Sequence, residues 1–173
     1  NDVASSKQDL AGKKLLITAG PTHEKIDPVR FIANCSTGKL GYTVAKVAAS
    51  RGADVTLISG PTYLEAPQGV NVQRVVSAED MYKACVNVFD GVDAAILTAA
   101  VADYTPAHPA DHKLKKSQEH LESIDLKETT DILASLSKTK KGQVVVGFAA
   151  ETNNVLEHAQ AKLERKGCSM IVA

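Results

Sequence analysis

The chain has 173 residues, of which 44% are hydrophobic and 23% are charged, a composition that indicates one compact globular domain and excludes intrinsic disorder. Its 20 basic and 20 acidic residues cancel, so no overall field favours nucleic acid or an anionic membrane, and any anion site must be local. Tryptophan is absent and aromatic residues are only 4% of the chain, which disfavours a single-stranded nucleic-acid binder.

The first twelve residues form a polar stretch that resembles a linker or a trimmed end. We therefore expect two parts, a linker over residues 1–12 and a single domain over residues 13–173. Within the domain, six short apolar runs predict strands that are buried on both faces. These runs are Lys14–Thr18, Val55–Ser59, Val72–Val76, Ala94–Thr98, Val144–Gly147 and Ser169–Val172.

Helical spacing between these runs predicts four helices. Ser77 is suited to cap the second helix, and Gly52 and Gly167 are suited to end the first and the fourth. Strands that alternate with helices predict a Rossmann-like, doubly wound α/β fold with a mainly parallel sheet and helices on both faces. The apolar positions of the helices are, in chain order, Leu40, Val44, Val47 and Ala48; Met81, Cys85, Val88 and Phe89; Asp131 to Leu136; and Val155, Ala159 and Leu163.

A long polar segment, Tyr104 to Lys127, separates the fourth strand from the following helix, and we call it the flap. It is too long and too polar for an ordinary connection, so we expect a mobile flap or an excursion from the sheet. Its run Lys113-Leu114-Lys115-Lys116 is either a solvated charge cluster or an arm that closes over phosphates.

The loop from Gly20 to Gly41 joins the first strand to the first helix and is unusually long. Because ligands of parallel sheets bind at the carboxyl ends of strands, this loop is a candidate site. Ser36, Thr37 and Gly38 precede the predicted helix and could offer bare N–H groups to an anion. Neither a Walker A motif nor GxGxxG is present, and a capped helix start with a packing glycine remains the alternative.

Two later loops also follow the carboxyl ends of predicted strands, as the first loop does. The segment Thr98 to Tyr104 has small side chains against which a ligand could lie, and Asp103 could accept from a ligand hydroxyl or amine; a buried alanine-rich turn is the alternative. The loop after the fifth strand leads into a helix that carries Lys162 and Lys166 on one face. Isolated lysines of this kind usually face solvent.

The cysteines, the histidines and the apolar runs indicate the cellular compartment and the metal content. Cys35, Cys85 and Cys168 are far apart and form no CxxC pair, which favours reduced thiols over a disulfide framework or a zinc site. The five histidines lack metal-ligand spacing, so no protein-held catalytic metal is indicated. No apolar run suits a membrane span or a signal peptide, and we predict a cytoplasmic protein.

Six motifs in order resemble one family closely, namely bacterial phosphopantothenoylcysteine synthetase. They are Ile17–Thr22 (ITAGPT), Ile26–Ile32 (IDPVRFI), Ser36–Gly41 (STGKLG), Ala99–Tyr104 (AAVADY), Lys113–Lys116 (KLKK) and Val146–Thr152 (VGFAAET). The resemblance implies that the carboxylate of 4′-phosphopantothenate attacks the α-phosphate of CTP, and that the cysteine amine then displaces CMP from the acyl-cytidylate. It also implies Mg²⁺ with the triphosphate, a homodimer that shares its site across the interface, and an upstream flavin-dependent decarboxylase domain.

The same resemblance assigns roles to individual residues. It implies that Asn34 and Arg30 handle the acyl intermediate and that Lys113 helps to form it by clamping phosphate charge. Two positions depart from the commoner pattern, Cys35 in place of His and Thr130 in place of Pro, and the chain stops at Ala173, where the family continues. The positions that align with CTP contacts are Leu97, Thr98, Ala99, Asp103, Lys113, Thr130, Asp131, Ile132, Leu133, Phe148, Lys162 and Lys166.

Two other classes of function stay open at the level of sequence. An NAD(P)-dependent reductase could use the same sheet, although the missing GxGxxG argues against it. A non-catalytic nucleotide-binding module is the other.

Overall fold

A computed structural model of the chain describes residues 7–115, 122–149 and 155–173. The predicted residues Lys116, Ala150, Glu151 and Thr152, and residues 1–6 of the predicted linker, lie outside this part. The strands are β1 (Lys14–Ala19), β2 (Glu24–Lys25), β3 (Phe31–Ile32), β4 (Asp54–Ser59), β5 (Val70–Arg74), β6 (Ala94–Leu97), β7 (Tyr104–Pro106), β8 (Leu126–Glu128), β9 (Val144–Phe148) and β10 (Met170–Val172), and the helices are α1 (Lys39–Ser50), α2 (Ala78–Phe89), α3 (Ile132–Thr139) and α4 (Val155–Lys166).

Six strands form one parallel sheet in the order β10-β9-β6-β1-β4-β5. In β1, Ile17 lies opposite Leu57 of β4 on one side and Ile96 of β6 on the other. The chain runs outward from β1 through β4 and β5 and then returns to build the other half of the sheet from β6. The strand order therefore reverses between β1 and β6, and the crevice at such a point is where doubly wound folds bind ligands.

Alternate residues of β1 enter two separate cores, one on each face of the sheet. Leu15, Ile17 and Ala19 pack with α1, β4 and neighbouring apolar side chains. Leu16 instead packs with residues of α2 and α3, including Met81. This alternation follows from the two-residue period of a strand, and it confirms the prediction of a mainly parallel sheet with helices on both faces.

The apolar face predicted for α1 is partly wrong. Leu40 and Val47 are 51% and 48% exposed, whereas Tyr42 and Ala45 are buried. The physical reason is the close approach of the helix to β1, since a Cβ added at Gly41 would lie 2.5 Å from the Cβ of Ala19. Because no side chain fits at Gly41, this residue takes the position nearest the strand, and Leu40 and Val47 lie on the exposed side of the helix.

The described part of the flap, residues 104–115 and 122–127, is an excursion from the main sheet, as predicted. Its ends, β7 and β8, form a separate antiparallel ladder in which Tyr104 pairs with Glu128 and Pro106 with Leu126. A second small ladder, β2 with β3, lies within the first loop and was not predicted. The strand predicted at Val72–Val76 is observed two residues earlier, and the other five sheet strands are close to their predicted bounds.

Residues 8–10 contact the end of α1. The backbone N–H of Leu10 donates to the carbonyl of Arg51 at 3.0 Å, and the Arg51 guanidinium pairs with Asp9 at 2.7 Å. Within the described ranges, no helix is both long enough and apolar enough to cross a membrane.

Candidate functional site

A cavity of about 420 Å³ opens at the carboxyl ends of β6 and β9; we call it the α3–α4 cavity. Three groups of residues converge on it: the loop after β6, the segment from Glu128 to the start of α3, and two lysines of α4. Its lining is Thr18, Leu97, Ala99, Ala100, Val101, Asp103, Tyr104, Glu128, Thr129, Thr130, Asp131, Ile132, Leu133, Phe148, Lys162 and Lys166. All the residues predicted to contact CTP are in this set except Thr98 and Lys113.

The N-terminus of α3 faces this cavity. Asp131 is its N-cap, and one carboxylate oxygen accepts from the N–H of Ala134 at 2.9 Å. The other oxygen accepts from the ammonium of Lys166. Burial acts to raise the pKa of Asp131, but these two hydrogen bonds together with the charges of Lys166 and Lys162 hold the pKa below its ordinary value. The ionised carboxylate therefore holds the Lys166 ammonium in place beside the helix end.

The second lysine of α4 is held in the same cavity. The Lys162 ammonium donates to the carbonyl of Phe148, at the end of β9, at 2.8 Å. Two cations separated by one helical turn thus lie beside an apolar ring and a helix N-terminus. This combination suits a ligand with a flat base at one end and phosphates at the other.

The loop after β6 is held flat by hydrogen bonds from its backbone to the first strand and the first loop. The N–H of Ala99 donates to the Thr18 hydroxyl at 3.2 Å, and the N–H of Ala102 donates to the Thr22 hydroxyl at 3.0 Å. With its amides fixed in this way and its side chains small, the loop forms a smooth wall of the cavity. Asp103 is exposed at the rim.

Thr98 and Lys113 lie outside this lining. The Thr98 hydroxyl donates to the carbonyl of Thr18 at 2.7 Å and sits against Gly41, so its contacts tie β6 to β1 and α1. Lys113 is exposed on the flap.

A second cavity, of about 910 Å³, lies beside the first loop; we call it the first-loop cavity. Asn34 lines it and also donates to the carbonyl of Val101 at 3.0 Å. Since Val101 lines the α3–α4 cavity, Asn34 lies where the two cavities adjoin. A ligand group at Asn34 would therefore lie close to a ligand bound in the α3–α4 cavity.

The glycines of the first loop permit close packing at the start of α1. Gly38 is the N-cap of α1 with φ of 77°, and a Cβ there would approach Thr62 and the backbone of Gly20. The hydroxyls of Ser36 and Thr37 accept from the N–H groups of Gly38 and Lys39 at 3.3 and 3.4 Å. An anion at this helix start would have to replace these two weak bonds.

Arg30 makes its contacts within the chain. Its guanidinium donates to both the buried carboxylate of Asp27, at 2.6 Å, and the carbonyl of Leu114, at 3.0 Å. Asp27 was not predicted as a site residue, although Asp followed by Pro is a turn signal that could have drawn attention to it. Thr18, Glu128 and Thr129 were also missed as lining residues, and no local pattern distinguishes them.

The three cysteines differ in their exposure. Cys35 is exposed beside Asn34, whereas Cys85 and Cys168 are buried, and burial raises the pKa of the Cys85 thiol to about 12. The His23 ring stacks on Phe31 at 3.8 Å between centroids. Across the described residues, no three His, Cys, Asp or Glu side chains converge in a way that could hold a metal ion.

Sequence and structure comparisons place the chain in a known family. The profile of the family described as DNA/pantothenate metabolism flavoprotein, C-terminal domain, matches residues 10–173. The chain is 51% identical over 165 residues to the coenzyme A biosynthesis bifunctional protein CoaBC of Bacillus subtilis, a match that covers 95% of this chain and 40% of that protein. It therefore spans about two fifths of the length of the curated relatives it matches.

Two solved structures share the fold. A crystal structure of the C-terminal domain of CoaBC is 50% identical and superimposes with a TM-score of 0.85, covering 95% of this chain and 78% of that one. A Cab2 mutant in complex with phosphopantothenate-cysteine is 17% identical with a TM-score of 0.75, over 92% and 71% of the two chains, and is similar in fold alone. The profile match and the first of these structures show that this chain belongs to the DNA/pantothenate metabolism flavoprotein C-terminal domain family, together with the C-terminal domain of the coenzyme A biosynthesis protein CoaBC.

Proposed function

We propose that this chain catalyses the CTP-dependent ligation of 4′-phosphopantothenate to cysteine in coenzyme A biosynthesis. The observation that carries the proposal is the α3–α4 cavity, where a helix N-terminus, Phe148 and the two lysines of α4 meet at the carboxyl ends of β6 and β9, next to the point where the strand order reverses. The family membership and the Cab2 complex with phosphopantothenate-cysteine support the choice of substrates.

The reaction has two steps that balance without a redox partner. In the first, the substrate carboxylate attacks the α-phosphorus of CTP, and pyrophosphate leaves. In the second, the cysteine amine attacks the acyl carbon, CMP leaves, and the amine loses a proton as the amide forms. Both steps need a site that binds phosphates next to a carboxylate.

The residues of the site can be assigned to these steps. In the α3–α4 cavity, Phe148 provides a surface for the cytosine ring, and Lys162 and Lys166 exchange their present partners for ligand oxygens. Lys113 approaches the phosphates from the flap in the first step. Asn34, at the junction of the two cavities, orients the acyl group.

Magnesium would be carried by the triphosphate and would neutralise part of its charge. The lysines of α4 fit this arrangement, because they would contact the phosphates while the nucleotide itself would supply the ligands of the metal. We also expect a cytoplasmic homodimer and, in the complete protein, an upstream flavin-dependent decarboxylase domain, as the bifunctional relatives suggest.

The proposal is tested by measuring CMP and pyrophosphate release with CTP, phosphopantothenate and cysteine. We expect Asn34→Asp to accumulate the acyl-cytidylate, because a carboxylate cannot donate to Val101 and repels the developing charge. We expect Lys113→Gln to slow pyrophosphate release about 100-fold, the usual cost of losing one charge-stabilising donor. Lys83→Gln on the exposed face of α2 removes the same charge far from the cavity and is the control.

Three outcomes would contradict these assignments. If neither product is released by the wild-type protein, the ligase proposal fails. If both variants retain full amide synthesis, the site assignments fail. Tight binding of NADPH without any response to CTP would favour the reductase instead.

A further inference from the structure

Asp27 has the most extensively bonded carboxylate of the described residues, and nothing in the proposed reaction uses it. Its side chain is buried, with 1% of the residue exposed. One oxygen accepts from the backbone N–H groups of Val29 and Arg30 at 2.8 and 2.7 Å. The other accepts from two guanidinium nitrogens of Arg30, at 3.0 and 2.6 Å, and from the N–H of Leu114 at 3.2 Å.

The last of these contacts spans 87 positions in sequence. Leu114 is held at both of its backbone polar groups, since its N–H donates to Asp27 and its carbonyl accepts from Arg30. A further backbone bond, from the N–H of Ala110 to the carbonyl of Ile26 at 2.9 Å, ties the same part of the flap to the first loop. The Asp27–Arg30 pair therefore fixes the flap at the residue next to Lys113.

Fixing this point has a consequence for Lys113. Its side chain is long and exposed, so its ammonium samples many positions unless its backbone is anchored. An anchored backbone reduces the entropy that is lost when the ammonium meets a phosphate, and positioning errors of about 1 Å can cost about 100-fold in rate. The only charged side chain of the described residues in contact with the Asp27 carboxylate is that of Arg30.

We infer that Asp27 is a positioning residue for the proposed reaction, which holds the flap through Arg30 and Leu114 so that Lys113 reaches the nucleotide phosphates. The inference rests on the proposed ligase function. It gives Arg30 a role within its own chain that is separate from any contact with the acyl intermediate.

The chemistry of the contact explains why a carboxylate is needed. An asparagine at this position retains one oxygen for the turn amides of Val29 and Arg30. Its amide nitrogen, however, can only donate, and it would face the Arg30 guanidinium and the Leu114 N–H, which are also donors. Asp27→Asn therefore preserves the turn and releases the flap.

The test combines kinetics with a double-mutant cycle. We expect Asp27→Asn to lower kcat for pyrophosphate release about 10-fold or more, while the Kd for CTP measured by calorimetry stays within about threefold, because the α3–α4 cavity is unchanged. In the Lys113→Gln background, the same substitution should lower kcat less than about twofold, since residues that act through one another are non-additive.

Asp80→Asn is the matched control. Asp80 is a carboxylate in the capping box of α2, so its loss lowers stability without touching the flap, and kcat should stay within about twofold of wild type. Should Asp27→Asn not fold, Leu114→Pro removes the N–H that reaches Asp27 and leaves the carboxylate–guanidinium pair intact. It should show the same loss of kcat.

The results separate this inference from the proposed function. A wild-type protein that forms no product rejects the ligase proposal. If the wild type is active and Asp27→Asn has the wild-type kcat, only the positioning role is rejected. It is also rejected if the loss of kcat in the double variant equals the product of the losses in Asp27→Asn and Lys113→Gln.

Discussion

At the scale of single residues, the charge of Asp27 makes stability depend on pH. Hydrogen bonding to the Arg30 guanidinium, against the opposing effect of burial, holds the pKa of Asp27 well below its ordinary value. Between the folded pKa and the unfolded value of about 3.9, the unfolded state binds more protons, so stability rises with pH. The contribution of Asp27 is therefore complete above about pH 5 and is lost as the pH falls.

This dependence is measured as the difference in free energy of unfolding between wild type and Asp27→Asn from pH 7 to pH 3. The difference should shrink towards acid pH, because the unfolded wild type takes up a proton at Asp27 that the folded wild type, with its lowered pKa, does not bind. Asp54→Asn changes an exposed carboxylate at the start of β4 and controls for the loss of one charge. A difference that grows as the pH falls would contradict a lowered pKa for Asp27 in the folded state.

The residues of the α3–α4 cavity show what a sequence can predict at this scale. Lys162 and Lys166 appear in the sequence as ordinary surface lysines, and only the family resemblance singled them out. The structure brings both to the cavity because one helical turn separates them. Asp27 was missed, since its role depends on Leu114, and contacts so distant in sequence leave no local pattern.

At the scale of elements, the contact of α1 with β1 depends on the absence of a side chain at Gly41. A Cβ there would lie 2.5 Å from Ala19 Cβ and 2.6 Å from the Thr98 hydroxyl. Gly41→Ala should therefore lower the free energy of unfolding by about 1–3 kcal/mol, despite the better helix propensity of alanine.

Urea unfolding of Gly41→Ala and Gly142→Ala tests this expectation. A Cβ at Gly142 would meet no atom within 4 Å, so that variant should stay within about 0.5 kcal/mol of wild type. Equal stability of wild type and Gly41→Ala would show that α1 can move away from β1 at little cost.

The elements themselves were largely predictable. Apolar runs such as Ala94–Leu97 have the composition of strands buried on both faces, and Ser77 is the N-cap of α2, as predicted. The burial of α1 was not predictable from apolar spacing, because the constraint at Gly41 comes from a neighbouring strand. The small ladder of β2 and β3 was missed because two-residue strands carry too little pattern.

At the scale of the whole molecule, the sequence predicted alternating strands and helices but could not order them. The order, with its reversal between β1 and β6, depends on which strands pair over long separations. That reversal divides the sheet into two halves, with β4 and β5 on one side of β1 and with β6, β9 and β10 on the other. The two cores lie on opposite faces of this sheet, one with α1 and the other with α2 and α3, and each draws residues from both halves. The α3–α4 cavity touches the second half of the sheet through β6 and β9.

This division predicts how CTP should stabilise the protein. A ligand that binds only the folded state at 100 times its Kd adds about 2.7 kcal/mol to the free energy of unfolding. We expect CTP to raise Tm accordingly, and Lys166→Ala to lose most of that shift at the same CTP concentration, while Lys83→Ala on α2 retains it. Amide hydrogen exchange should slow chiefly in α3, α4 and β9, since these elements form the cavity, and less in β4 and β5. A shift that survives in both Lys162→Ala and Lys166→Ala, or protection confined to β4 and β5, would place the nucleotide elsewhere on the sheet.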